Sequence, residues 1–150
     1  MSIYGFLPEE NDDSADWLED FKISPSAILL NDAFDELLSS DSKYKEVTEC
    51  AHAYLAAALT YEIFSGKFRT ILNFHSEQVE FFMQSIYRLA SSAKINMIHR
   101  AIECLRIVVG AQQSSELFEL MQEDDILFNQ WQQEIEALNT GLKLLIDKTN

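Results

Sequence analysis

Glycine, proline and cysteine are all scarce in this chain, with four, two and two residues among 150. Each scarcity closes off a class of protein. Gly5, Gly66, Gly110 and Gly141 stand alone, so no glycine-rich loop exists to cradle a nucleotide phosphate. Two prolines, with no window that alternates for long at period two, argue against a sandwich or barrel, and no internal repeat occurs at solenoid periods. Cys50 and Cys104 are too few for a disulfide framework; lying in apolar helical stretches, they are expected to be buried thiols. Bases are scarce as well, 11 Lys and Arg against 25 Asp and Glu, for a net charge of −14. Such a surface repels phosphate backbones and anionic lipid, so neither nucleic acid nor membrane is an expected partner. The most apolar stretch, residues 51–64, contains His52, Thr60 and Glu62 and is too short to span a bilayer. The start, Met1 to Gly5, lacks a basic segment followed by an apolar run, so no secretory leader is expected and the expected location is cytoplasmic.

What is present is a helical pattern with enough apolar material, 47% of residues, to close the core of a single domain over 1–150. After a short extended segment, 1–10, the run Asn11 to Phe21 reads as a helix start. Asn11 or Asp12 serves as cap, acids lie at the positive end of the helix dipole, and Ala15, Trp17, Leu18 and Phe21 give apolar edges. Ser24-Pro25 signals a second helix, with Ser24 as cap, carrying Leu30, Ala33 or Phe34, and Leu37. Past the polar break Ser39 to Ser42, a third helix from about Lys45 to Ser65 becomes apolar nearly all round through Ala53 to Leu59, and Gly66 ends it. A helix with little polar face is surrounded by others, which makes this alanine-rich element the expected centre.

Residues 67–75 fit either a short helix or a loop. Residues 76–90 place Val79, Phe82, Met83, Ile86 and Leu89 on one side, and Ser91-Ser92 makes a break. Ile95, Ile98, Ile102, Leu105 and Val109 then form a stripe opposite Asn96, His99, Arg100, Glu103 and Arg106, up to Gly110. Ser114 or Ser115 caps a short helix at 116–122. The last helix starts at Glu123-Asp124-Asp125 and carries Leu127, Trp131, Ile135, Leu138, Leu142 and Leu145 over five turns; Gly141 sits within that pattern, and a kink or an early end after Asn139 is the alternative. The expected fold is therefore all-α, six or seven helices around the third.

Three stretches together resemble an uncharacterised bacterial family, domain of unknown function 4259. They are Tyr4-Gly5 followed by Asn-Asp-Asp-Ser-Ala-Asp-Trp at residues 11–17, Tyr44 to Phe64 with Glu46, Glu49 and its alanines, and Ser115-Glu116-Leu117 ahead of Trp131 and Leu138. Tyr4 stands where that family favours Trp, and the approach through Leu7 to Glu10 is less glycine-rich than usual. The resemblance implies a bacterial origin and an all-helical domain, and it leaves the function open.

Charge is unevenly spread. Residues 1–41 hold eleven acids against Lys22 alone (−10), residues 42–106 six acids against eight bases (+2), and residues 107–150 eight acids against two bases (−6). The acids Asp12, Asp13, Asp16, Glu19 and Asp20 are the candidate partner-binding residues, as on a small acidic inhibitor that neutralises a toxic enzyme by covering a cationic site. The plainer reading is that two or three of them favour the helix start and the rest solubilise the domain.

The competing candidate is Glu46-x-x-Glu49-x-x-His52, since Glu-x-x-His on a helix is the spacing of di-iron bundle proteins. Those proteins use the motif twice. Leu72 and Asn96 occupy the positions three before His75 and His99, so a solvated face at the helix start outranks a metal- or small-molecule-binding enzyme. His99, Arg100, Glu103 and Arg106 read as exposed charges paired at i, i+4, and Tyr54, Tyr61, Phe81, Phe82 and Trp131 read as core. No nucleophile arrangement is present, because Cys50 and His52 point to different faces. The expectation is a protein-binding or inhibitory protein with a basic protein partner, no cofactor and no catalytic residues; partner identity and oligomeric state stay open.

Overall fold

A computed structural model describes residues 3–110 and 114–149; residues 1, 2, 111–113 and 150 lie outside the described residues. Among the described residues there are seven α-helices: α1 (Asp12–Ile23), α2 (Ala27–Leu38), α3 (Val47–Ser65), α4 (Ser76–Tyr87), α5 (Ser91–Val108), α6 (Glu116–Met121) and α7 (Asp125–Thr149). They pack as one compact domain around α3, which touches α1, α2, α5, α6 and α7. The sequence explains this placement. Every residue from Ala53 to Thr60 is buried, so α3 has no solvent face there, and its alanines let helices approach closely. Thr60, the polar residue in that run, turns its hydroxyl onto the Ala56 carbonyl at 2.8 Å. No helix among the described residues is long and apolar enough to cross a membrane.

Local chemistry sets the helix ends. Asn11 Oδ1 accepts from the Ser14 N–H at 2.8 Å and starts α1; Gly66, at φ 75°, ends α3 in the left-handed conformation. The second helix starts later than Ser24-Pro25 suggests. The residue before a proline is driven to extended backbone, and Ser24 is found at φ −147°, so Ser26 instead caps α2, accepting from Leu29 N–H at 3.2 Å. Likewise the break before α5 comes at Ala90, leaving Ser91-Ser92 inside the first turn.

Three further differences have physical causes. Residues 3–11 do not run extended: Ile3 pairs antiparallel with Asn11, and the Tyr54 hydroxyl donates to the Phe6 carbonyl at 3.3 Å, folding the segment onto the core. Tyr44–Lys45 and Ser114–Ser115 form a two-residue parallel pair, β1 and β2, too short to leave an alternating pattern. The last helix runs unbroken through Gly141 because α3 and α7 meet there; a Cβ on Gly141 would lie 2.5 Å from Tyr61 Cε1. The undecided stretch 67–75 is mostly loop, with one 3₁₀ turn at Ile71–Asn73.

The stripes of α2, α4 and α7 face inward much as their spacing implies, whereas the buried face of α5 is rotated. Met97, Ile98, Ala101, Cys104, Leu105 and Val108 are buried, while Ile95, Ile102 and Val109 are half-buried at the edge. Small Ala101 and Cys104, fully enclosed, suit the close approach of α5 to the alanine face of α3. Arg100 is not part of an i, i+4 pair. It crosses to α2, donating to Asn31 Oδ1 at 2.6 Å and pairing with the Asp35 carboxylate. Phe81 is no core residue either: α4 packs by Phe82 and Ile86, leaving Phe81 77% exposed on the other side.

Glu62 is the buried charge of α3, 4% exposed. Its Oε1 accepts from the backbone N–H groups of Arg69 at 2.6 Å and Ile71 at 3.1 Å, so it fastens the 67–73 loop to the end of the central helix. Glu62→Leu strands both donors and is expected to lower the unfolding free energy by about 2 to 3 kcal/mol. Urea denaturation followed by helical circular dichroism measures this; an unchanged midpoint would remove Glu62 from that role.

Candidate functional site

The first turn of any α-helix has backbone N–H groups without intrahelical partners, and at the enclosed α3 those donors need protein acceptors. Two segments supply them, and a third, α1, braces the same end through side-chain bonds. Glu46 and Glu49 close a reciprocal capping box, with the Glu46 N–H donating to Glu49 Oε1 at 2.9 Å. Glu116, from the start of α6, reaches across and accepts from the Val47 N–H with its Oε1 at 2.8 Å. From α1, Asp13 Oδ2 accepts from the Thr48 hydroxyl at 2.9 Å, and the Ser14 hydroxyl donates to the Ala51 carbonyl at 3.1 Å. Ser115 in turn caps α6, accepting from Phe118 N–H at 3.2 Å.

These contacts gather carboxylates from α1, α3 and α6 at one pole of the molecule. With them stand the exposed Asp16 and Glu119, and Glu46 is exposed as well as engaged in the capping box. The Tyr44 hydroxyl donates to Glu119 Oε2 at 3.2 Å and lies 3.5 Å from Glu116 Oε2. Its phenol is pushed up to about 12 by desolvation and by the two adjoining carboxylates, so it remains a donor at neutral pH. Among the described residues no Lys, Arg or His forms an ion pair with Asp13, Asp16, Glu46, Glu49, Glu116 or Glu119. Lys45, next to them in sequence, is 1% exposed and donates inward to the Ser40 carbonyl at 2.7 Å, at the end of α2.

The five acids singled out on α1 separate into roles. Asp12, Asp16, Glu19 and Asp20 are exposed at helical spacing along the outer side of α1, Glu19 paired with Lys22 at 3.2 Å, while Asp13 is half-buried against α3. Glu46, Glu49 and His52 do not converge on a common point. The two glutamates serve the helix start, and His52 Nδ1 lies 3.3 Å from Glu36 Oε2 beside the Trp17 ring. Among the described residues no group of three or more His, Cys, Asp or Glu side chains is arranged to hold a metal ion. Tyr44, Glu116 and Glu119 were not among the sequence candidates. The Ser-Glu-Leu motif was visible at 115–117, but its reach to Val47 depends on the tertiary fold.

Beneath the pole lie both thiols, free and buried. Burial pushes Cys50 up to about 11, partly opposed by its contact with the Ser115 hydroxyl at 3.6 Å, and burial pushes Cys104 up to about 12, partly opposed by Arg100. The folded chain thus holds two protons that the unfolded chain releases near the ordinary value of 9.0. Their contribution to stability is complete below pH 9 and is lost as the pH climbs toward 11 and 12, with the buried phenol of Tyr54, also raised by burial, acting in the same direction. Urea midpoints are expected to fall from pH 8 to pH 10.5, and to fall less in a Cys50→Ala/Cys104→Ala variant; equal falls would contradict the assignment.

The comparisons with known proteins bear on this arrangement. No curated protein and no solved structure matches the chain. A family model, described as Domain of unknown function (DUF4259), matches residues 3–134, a span that takes in the three segments meeting at the start of α3. The chain belongs to that family of unknown function.

Proposed function

We propose that this protein is a non-enzymatic binding protein whose acidic pole covers a basic surface of a partner protein, in the manner of an inhibitor that neutralises a toxic enzyme. The observation that supports the reading is the convergence of carboxylates from α1, α3 and α6 without a described cation paired to the six named above. A lone acidic helix could serve solubility alone. A pole assembled from three elements, with Tyr44 between two of its carboxylates, presents a fixed charge pattern that a flexible acidic tail would not. Charge of this kind acts mainly on encounter rate and on the choice of partner. The Glu46, Glu49 and His52 face offers less to an enzyme, because both carboxylates are occupied at the helix start. A bacterial cytoplasm is the setting in which we place the protein.

The test is affinity capture of partners from the source cell, performed at low and at high salt. A basic partner retained at low salt is expected to be lost near 1 M salt, where the screening length falls to about 3 Å from about 10 Å at 0.1 M. The triple reversal Asp16→Lys, Asp20→Lys and Glu119→Lys is expected to abolish capture while leaving the helical signal intact, since none of the three holds a backbone group. Capture that persists through both changes would sink the proposal.

A further inference from the structure

The opposite end of α3 has a different character. Between its last turn, α4 and the start of α5 lies a cleft of about 470 Å³, lined chiefly by Ile63, Phe64, Phe68, Met83, Ile86 and Tyr87. That volume falls within the range of about 300 to 1,000 Å³ over which small-molecule sites occur, and the exposed lining is divided equally between apolar and polar surface, with Ser65, Gly66 and Lys94 completing it. Ile63 and Ile86 are buried and form fixed walls. Gly66 leaves the mouth open: a Cβ added there would meet nothing within 4 Å.

The polar group of consequence is Lys94, on the first turns of α5. Its Nζ lies 5.9 Å from the centroid of the Tyr87 ring, and among the described residues no carboxylate lies within ion-pair distance of it. In a chain of net charge −14, a half-buried lysine beside an apolar cleft has many acids available to it elsewhere and pairs with none of them. An ammonium beside an aromatic face, at the edge of a cleft that also exposes apolar side chains, is complementary to an anion carried on an apolar body.

We infer that this cleft binds an amphipathic carboxylate, its hydrocarbon part on Phe64, Phe68 and Met83 above the buried Ile63 and Ile86, and its carboxylate on Lys94. Apolar burial supplies attraction, and the charge-assisted contact to Lys94 sets the preference for an acid over a neutral or cationic analogue. The site is separate from the acidic pole, so the loss of either reading leaves the other standing.

The probe is decanoate, kept below the concentration at which it forms micelles, titrated calorimetrically into the full chain with decanol as the neutral comparison. One decanoate per chain is expected. Lys94→Gln should weaken decanoate about tenfold or more, the range expected on losing a charged hydrogen bond, without changing the affinity for decanol, and Lys94→Arg should keep decanoate bound. Circular dichroism of each variant confirms that it is folded. Absence of decanoate binding to the unaltered chain, or equal decanoate affinity in the Gln and Arg variants, overturns the inference.

Discussion

An α-helix that is apolar on every side has to be enclosed on every side, and α3 imposes that requirement on the helices around it. Its residues from Ala53 to Thr60 are all buried, so α1, α2, α5, α6 and α7 are arranged as a sheath. Enclosure has a second consequence at the ends. The free N–H groups of the first turn cannot rely on water alone, and α6 contributes an acceptor, Glu116, to the Val47 N–H, while Asp13 from α1 braces the same turn by accepting from the Thr48 hydroxyl. At the far end a side chain of α3 itself acts, Glu62 gathering the 67–73 loop by accepting from two of its backbone N–H groups.

The acidic pole is therefore partly a by-product of packing. Glu46, Glu49, Glu116 and Asp13 stand where they do because a helix start favours negative charge and needs acceptors. Asp16, Asp20 and Glu119 answer no such need, since each is exposed and holds no described backbone group. Their addition turns a structural necessity into a surface. Three bases of the chain are committed to other contacts: Lys45 donates inward to the Ser40 carbonyl, Arg100 is engaged by α2, and Arg69 pairs with Glu9 at 2.6 Å.

Most of the helices were legible because each carries one dominant pattern. The all-round apolar run of residues 53–59 identified the centre, and the four-and-three spacing from Leu127 to Leu145 identified the last helix, though not its unbroken passage through Gly141, which the packing against Tyr61 decides. Reading failed where partners decide the outcome. Nothing in the spacing of α5 distinguishes a face built on Ile95 and Ile102 from one built on Ala101 and Cys104; the close fit to α3 makes the choice. Arg100 looked like a local ion-pair partner because its true partners, Asn31 and Asp35, are about 65 residues away. At the candidate site the acids of α1 were visible as a run. The contribution of Tyr44, Glu116 and Glu119 was not, because a glutamate that caps another helix looks like any glutamate at the start of its own.

The dependence of the whole molecule on α3 is tested most directly by native-state hydrogen exchange, resolved residue by residue. The amides of residues 53–60 should exchange slowest of all, through global unfolding only, and those of α4, which is fastened mainly through Phe82 and Ile86, should exchange through local opening at a clearly lower free energy. Exchange of the α3 amides as fast as those of α4 would show that the central helix opens on its own, and the sheath around it would need another explanation.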